Sequence, residues 1–325
     1  MSMRAFAIAT FVLLAGCEEP RWARVHDELP EALMGVWGRS SQEVYAVGSD
    51  AGSGPLVLLF DGARWTRLST GASGDLWWVN GAPGGPIFFG GSGGLILSYD
   101  GATFTPMETP GTGTVFGIWA AASDDVWAVG GTLGRAGFAW RYDGTAWTEV
   151  EVVGLGDRGL NKVWGLAPDD VWLVGTGGAM FHWDGSALEA VDAGTTRALT
   201  TVHLEGERAV AVGGAGNAAL VEREDGVWVD RSPEFVPALF GVWLTPDGGG
   251  WAVGHNGTIM RREPSGWVQE DPDIGYIDGA LHAVWVDETG GAWAVGGQVI
   301  SPPFSDGVML HRGAPVPSGN VEEGP

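Results

Sequence analysis

Few residues in this chain are placed to do chemistry. The six histidines, at positions 26, 182, 203, 255, 282 and 311, show no metal-ligand spacing. The segment DPDIGYIDG sets Asp271, Asp273 and Asp278 around Gly275, loosely the alternating carboxylates of a calcium loop. It departs from that pattern, with glycine at the fifth position and the last acid one residue early; calcium is the one cofactor the sequence suggests, and otherwise none is expected. Hydrolysis of a sialic-acid type needs an arginine triad and a tyrosine nucleophile. Three of the four tyrosines (Tyr45, Tyr99, Tyr142) occupy repeat positions, leaving Tyr276, and nothing singles out Arg39, Arg158 or Arg197. No catalytic constellation is identifiable, so a non-enzyme is expected.

Charge and composition narrow the classes further. The 17 Lys and Arg against 40 Asp and Glu give a net charge of −23, the reverse of the basic footprint that nucleic-acid phosphates require. The 56 glycines and 45% hydrophobic residues fit a turn-rich β protein, because glycine weakens helix interiors and supplies turns. One cysteine, Cys17, excludes a disulfide framework and a cysteine-based structural zinc site.

That cysteine ends a short apolar run, AFAIATFVLL, preceded by Arg4 and too short to span a bilayer as a helix. Leu14-Ala15-Gly16-Cys17 resembles a bacterial lipobox. The resemblance implies cleavage before Cys17 (residues 1–17 being the signal segment with its lipobox), acylation including palmitate, and anchoring in the membrane by several acyl chains. Glu18 follows rather than aspartate, which points to the outer membrane of the cell envelope rather than the inner one.

From residue 18 to 313 the chain is seven copies of one unit. An opening motif of the form L-x-x-V-W ends at Trp37, Asn80, Trp119, Trp164, His203, Trp243 and Trp285. Ten or eleven residues later an apolar stretch such as VYAVG or VWAVG ends in glycine, at 48, 90, 130, 175, 213, 254 and 296. Asp-Gly pairs at 61–62, 100–101, 143–144 and 184–185 then mark a tight turn before a fourth segment such as RWTRL or AWTEV. Four short strands per unit of about 40 residues predict an all-β, seven-bladed β-propeller. The seventh unit lacks its fourth strand, and Arg21–Val25, RWARV, has the missing pattern. The N-terminal segment is therefore expected to complete the last blade and close the ring. The Gly/Pro-rich tail, 314–325, is expected to be disordered.

The tryptophan-rich DVWAVG…DG…W units resemble the repeats of bacterial surface lipoproteins. They are similar to those of the photosystem II assembly factor Ycf48, and more loosely to Asp-box and tectonin repeats. The resemblance implies a scaffold, and a scaffold does not assign a function. Fifteen of the eighteen tryptophans recur at equivalent positions, which predicts packing between blades; Trp77, Trp78 and Trp140 break the pattern.

Loops between second and third strands, and links between blades, vary most. Both sets lie on one face of a propeller, around the channel mouth, where binding residues are disproportionately found. That face is expected to carry Asp50, Arg135, Asp157, Arg158, Arg197, His255, Asn256, Asp273, Tyr276 and Gln298. The expected function is a lipid-anchored envelope scaffold, monomeric, that binds a protein or glycan there. The alternatives are a glycan-active hydrolase or lyase, with paired carboxylates and an arginine cluster in one pocket, or a tectonin-like lectin with exposed off-pattern tryptophans.

Overall fold

A computed structural model describes residues 19–131 and 136–324, so Cys17 and Arg135 lie outside the described residues. Every repeat forms a sheet of four antiparallel strands ordered from the centre outward. In blade 3 these are Thr114–Ala122, Asp125–Gly131, Phe138–Tyr142 and Trp147–Val150. The inner strands contact one another in sequence around a circle, and that of blade 7, Ala280–Val286, meets that of blade 1, Leu33–Ser40. The molecule is a seven-bladed β-propeller. Apart from two single 3₁₀ turns, no helix occurs among the described residues.

Closure follows the sequence pattern. Strand Trp22–Leu29 pairs antiparallel with Ser305–Arg312, Trp22 opposite Arg312, and supplies the fourth strand of blade 7. The aromatic packing shows why a tryptophan belongs there. A second-strand tryptophan in one blade meets a fourth-strand tryptophan in the next: Trp172 with Trp228 at 5.4 Å, Trp251 with Trp22 at 5.2 Å, and Trp293 with Trp65 at 5.8 Å. Trp22, from the other end of the chain, occupies the same interblade slot as Trp228. None of the eighteen tryptophans is exposed, and of the off-pattern ones Trp78 and Trp140 are buried.

The tail corrects an expectation. It is not free: the Gly319 N–H donates to the Val25 carbonyl, and Val321–Glu323 adds as a parallel fifth strand beside Trp65–Arg67 of blade 1. Val316 and Val321 pack on the core, and Glu322 pairs with Arg64 at 3.0 Å. Two valines and an unpaired outer edge outweigh the Gly/Pro composition, because an open ladder offers backbone partners that water would otherwise supply. The tail thereby crosses the seam between the last blade and the first.

The turns before fourth strands share one device. The carboxylates of Asp61, Asp100, Asp143 and Asp184 each accept the backbone N–H groups two and three residues ahead. Those bonds hold all four below the usual carboxylate range, Asp184 at about 2.

Candidate functional site: two mouths of one channel

The variable loops and the interblade links do share a face, and hydrogen bonds tie them together. Asp50, at the end of a second strand, accepts the N–H groups of Gly52, Gly54 and, in the link to blade 2, Gly74. Those donors, Gly74 foremost, hold its carboxylate below the usual range. Asn256 donates its N–H to Gly279, and Gly137 donates to Arg158. Several residues expected to bind ligand are thus spent on the scaffold. Arg158 donates to Leu155 O at 2.9 Å, and Arg197 bonds Ala218 O at 2.6 Å and Asp230 at 3.1 Å. Gln298 pairs with Ser305 in the sheet of blade 7.

Part of the expected set does converge. Asn256, Asp271, Asp273 and Tyr276 line one cleft of about 660 Å³ beside blade 6, with His255 adjoining through its contact to Asn256 Oδ1 at 3.2 Å. The calcium expectation is not supported. Among the described residues no three His, Cys, Asp or Glu side chains are grouped to hold a metal, and Asp278 does not line the cleft. Asp271 instead accepts the Asp273 N–H at 3.1 Å, closing a turn, with Asp273 at φ +52°. A cluster of Arg261, Arg262 and Arg312 lines a different cavity, of about 650 Å³. Those guanidiniums are paired, Arg262 with Glu222 at 3.0 Å, Arg261 with Glu263 at 2.7 Å, and Arg312 faces Glu270 at 3.9 Å.

The channel itself carries a pattern that the sequence did not reveal. In every blade the inner strand bulges at the same place, one residue after the opening hydrophobic. The extra residues are Met34, Trp77, Phe116, Asn161, Thr200, Phe240 and His282. A bulge re-aims its side chain and steepens the local twist. At the variable-loop mouth these side chains pack against one another: Trp77 meets Phe116 at 5.1 Å, His282 at 5.9 Å and Phe304 at 5.5 Å, and His282 stacks on Phe240 at 6.0 Å. Just below, Lys162, the chain's single lysine, reaches from blade 4 to blade 2. Its ammonium lies 3.1 Å from the centre of the Trp78 ring and donates to Phe116 O at 3.3 Å. Burial pushes its pKa well down. An aromatic plug therefore fills this mouth of the channel, and the open cleft lies off-axis.

The opposite mouth is built from the last residue of each opening motif. Three of its tryptophans lay their ring tips over the next blade's inner strand: Trp37 over Gly81, Trp119 over Gly165, Trp285 over Gly38. A β-carbon at any of those glycines would run into the indole. Where the motif's last residue is not tryptophan, a polar atom makes the same junction. Asn80 Oδ1 accepts the Ala120 N–H at 2.9 Å, and His203 Nδ1 accepts the Leu244 N–H at 3.1 Å. The two departures from the motif are blade-to-blade staples.

No family model matches the sequence, and no curated protein does. The fold has many solved relatives. The WD40 β-propeller domain of Doa1 superposes with a TM-score of 0.68 at 12% identity, over 90% of this chain and 96% of that one. YCF48 bound to D1 peptide gives 0.67 at 14% identity, over 92% and 98%. The extracellular domain of a two-component system from B. thetaiotaomicron, BT3049, gives 0.65 at 13%, over 90% of this chain and 41% of that one. Likeness at such identities shows the fold. The propeller is what they share.

Proposed function

We propose that the chain is a lipid-anchored propeller of the bacterial envelope, a non-catalytic binding or assembly scaffold whose variable-loop face docks a protein segment. The observation that carries this reading is the set of apolar side chains held out at loop tips on that face. Phe235 is 92% exposed and Tyr276 74%, and they sit in neighbouring interblade links. Phe235 has φ +61°, a left-handed conformation costly for a bulky residue, so the link keeps an aromatic ring in water at a price in strain. Exposed aromatics are characteristic anchors of protein interfaces. The likeness to YCF48, whose solved complex holds a D1 peptide, supports a peptide or protein ligand over a glycan. Acylation at Cys17, a few residues before the first strand of the ring, would hold this scaffold close to the outer membrane.

Cross-linking in intact envelopes tests the reading. The lipid-bearing full chain is expected to capture a defined set of partners, and the Phe235→Ser/Tyr276→Ala variant to lose them by about tenfold or more, as for two interface anchors of roughly 1 kcal/mol each. Cys17→Ala is expected to move the chain out of the membrane fraction. Equal partner recovery by both faces of the comparison, wild type and double variant, would remove the loop-tip face from consideration.

A further inference from the structure

The mouth opposite the variable loops is closed on one side and open on the other, and a single residue makes the difference. From blade 4 to blade 7 the rings run on without a gap: Trp164 meets His203 at 4.7 Å, His203 meets Trp243 at 4.0 Å, and Trp243 meets Trp285 at 6.5 Å. His203 departs from the motif but remains a ring, so it fills its place. Asn80 does not. Between Trp37 and Trp119 the missing indole leaves a cavity of about 280 Å³, walled by Trp37, Asn80, Trp119 and Trp164 and rimmed by the exposed Leu166.

Asn80 is only 3% exposed, and its bonding is incomplete. The backbone N–H of Ala120 fixes its oxygen as the acceptor, which assigns the other atom as the amide nitrogen. That Nδ2, with two donor hydrogens, has no protein partner among the described residues and stands at the cavity wall. Solvent reaches that nitrogen at the cavity, and a ligand oxygen would take the place of water on it. No ionisable side chain lines the cavity, in a chain whose net charge is −23.

We infer that this cavity is a binding site for a neutral pyranose ring, one hexose unit of a glycan. The indole faces carry the negative side of the ring quadrupole and attract the polarised C–H face of a sugar. A hydroxyl oxygen accepts from Asn80 Nδ2. Sites for drug-sized ligands begin near 300 Å³, so this volume suits a single ring. A free amino acid or a peptide terminus would bring a charge that nothing here answers. The site lies on the face opposite Phe235 and Tyr276, and the inference stands apart from the docking role proposed for those residues.

The test is saturation-transfer NMR on the detergent-solubilised full chain, with the methyl pyranosides of glucose, galactose, mannose and N-acetylglucosamine. At least one is expected to receive saturation at its ring C–H protons and to quench tryptophan fluorescence, with a Kd on the order of 1 mM. Asn80→Trp restores the repeat motif and fills the cavity, and is expected to weaken binding about tenfold or more. Leu166→Arg does the same from the rim at an exposed position that folding does not depend on. Phe235→Ser/Tyr276→Ala is expected to bind the sugar like wild type. No transfer to any of the four glycosides overturns the inference, and so does unaltered binding by either cavity variant that melts like wild type.

Discussion

Replacing Trp22 by alanine is expected to cost about 3–5 kcal/mol of folding stability, the usual penalty for deleting a buried tryptophan. The residue sits at the ring's seam, opposite Arg312 in the sheet and edge-on to Trp251 of blade 6. Its strand also reaches the first blade, through His26 against Trp65 at 5.2 Å, and Val25 lies in the cluster that spans blades 7 and 1. The loss therefore falls on two interblade contacts as well as on one strand pair. In a closed ring each blade is held from both sides, so weakening the seam weakens the neighbours of every blade in turn. Equilibrium denaturation followed by tryptophan fluorescence measures it. Trp267→Ala, at a half-buried fourth-strand position, is the comparison and is expected to cost less. Equal midpoints for the two variants would show that the N-terminal strand is an ornament on a ring closed by other contacts.

Acid is expected to destabilise this protein well before its carboxylates protonate. Burial pushes His203 down to about 3 and His282 to about 4; His311 is also lowered to about 4 by burial, partly offset by Asp287. Each is neutral in the fold at neutral pH and binds a proton near pH 6.5 when the chain is unfolded. As pH falls through 6.5 the unfolded state takes up protons that the folded state refuses, so stability declines until pH reaches the folded values near 4 and 3. His203 is 2% exposed and His311 6%. At pH 5 His203 and His311 are each expected to have cost about 2 kcal/mol, or about 4 kcal/mol together. The turn aspartates, whose pKa values are lowered, add their loss only below about pH 4 and leave this window clean. His203→Asn is the informative variant. Asn80 shows that an amide oxygen can accept the next blade's N–H at this position, so the substitution keeps the staple and removes the titration. Unfolding free energies from urea titration are expected to fall about 2 kcal/mol less for it between pH 7.5 and pH 5 than for wild type. An unchanged pH dependence would place the acid sensitivity elsewhere.

Seven repeats, four strands in each and the completion of blade 7 by RWARV were legible in the sequence because they are local and periodic. A strand needs alternation, a turn needs Asp-Gly, and a ring of like units leaves a gap of known shape. The face shared by variable loops and links was legible for the same reason, as a consequence of strand order. The side chains expected to bind on that face were not. Asp50, Arg158 and Arg197 have the types that contact ligands, yet each had backbone groups within hydrogen-bond reach, and those groups claimed them. Nor did composition decide the tail, since the free edge of blade 1 exists only once the sheet has formed.

What the sequence by itself determined is the count of blades and the order in which the chain visits them. What only the tertiary structure decided is which departures from the repeat matter. Asn80 and His203 are the same kind of exception when read along the chain, each replacing a tryptophan. Folded into a circle they differ, because His203 still offers a ring for Trp164 and Trp243 to pack on, whereas Asn80 spends its amide oxygen on the next blade and leaves a space beside its amide nitrogen. A cavity is a property of neighbours from four blades, and no stretch of the chain contains it.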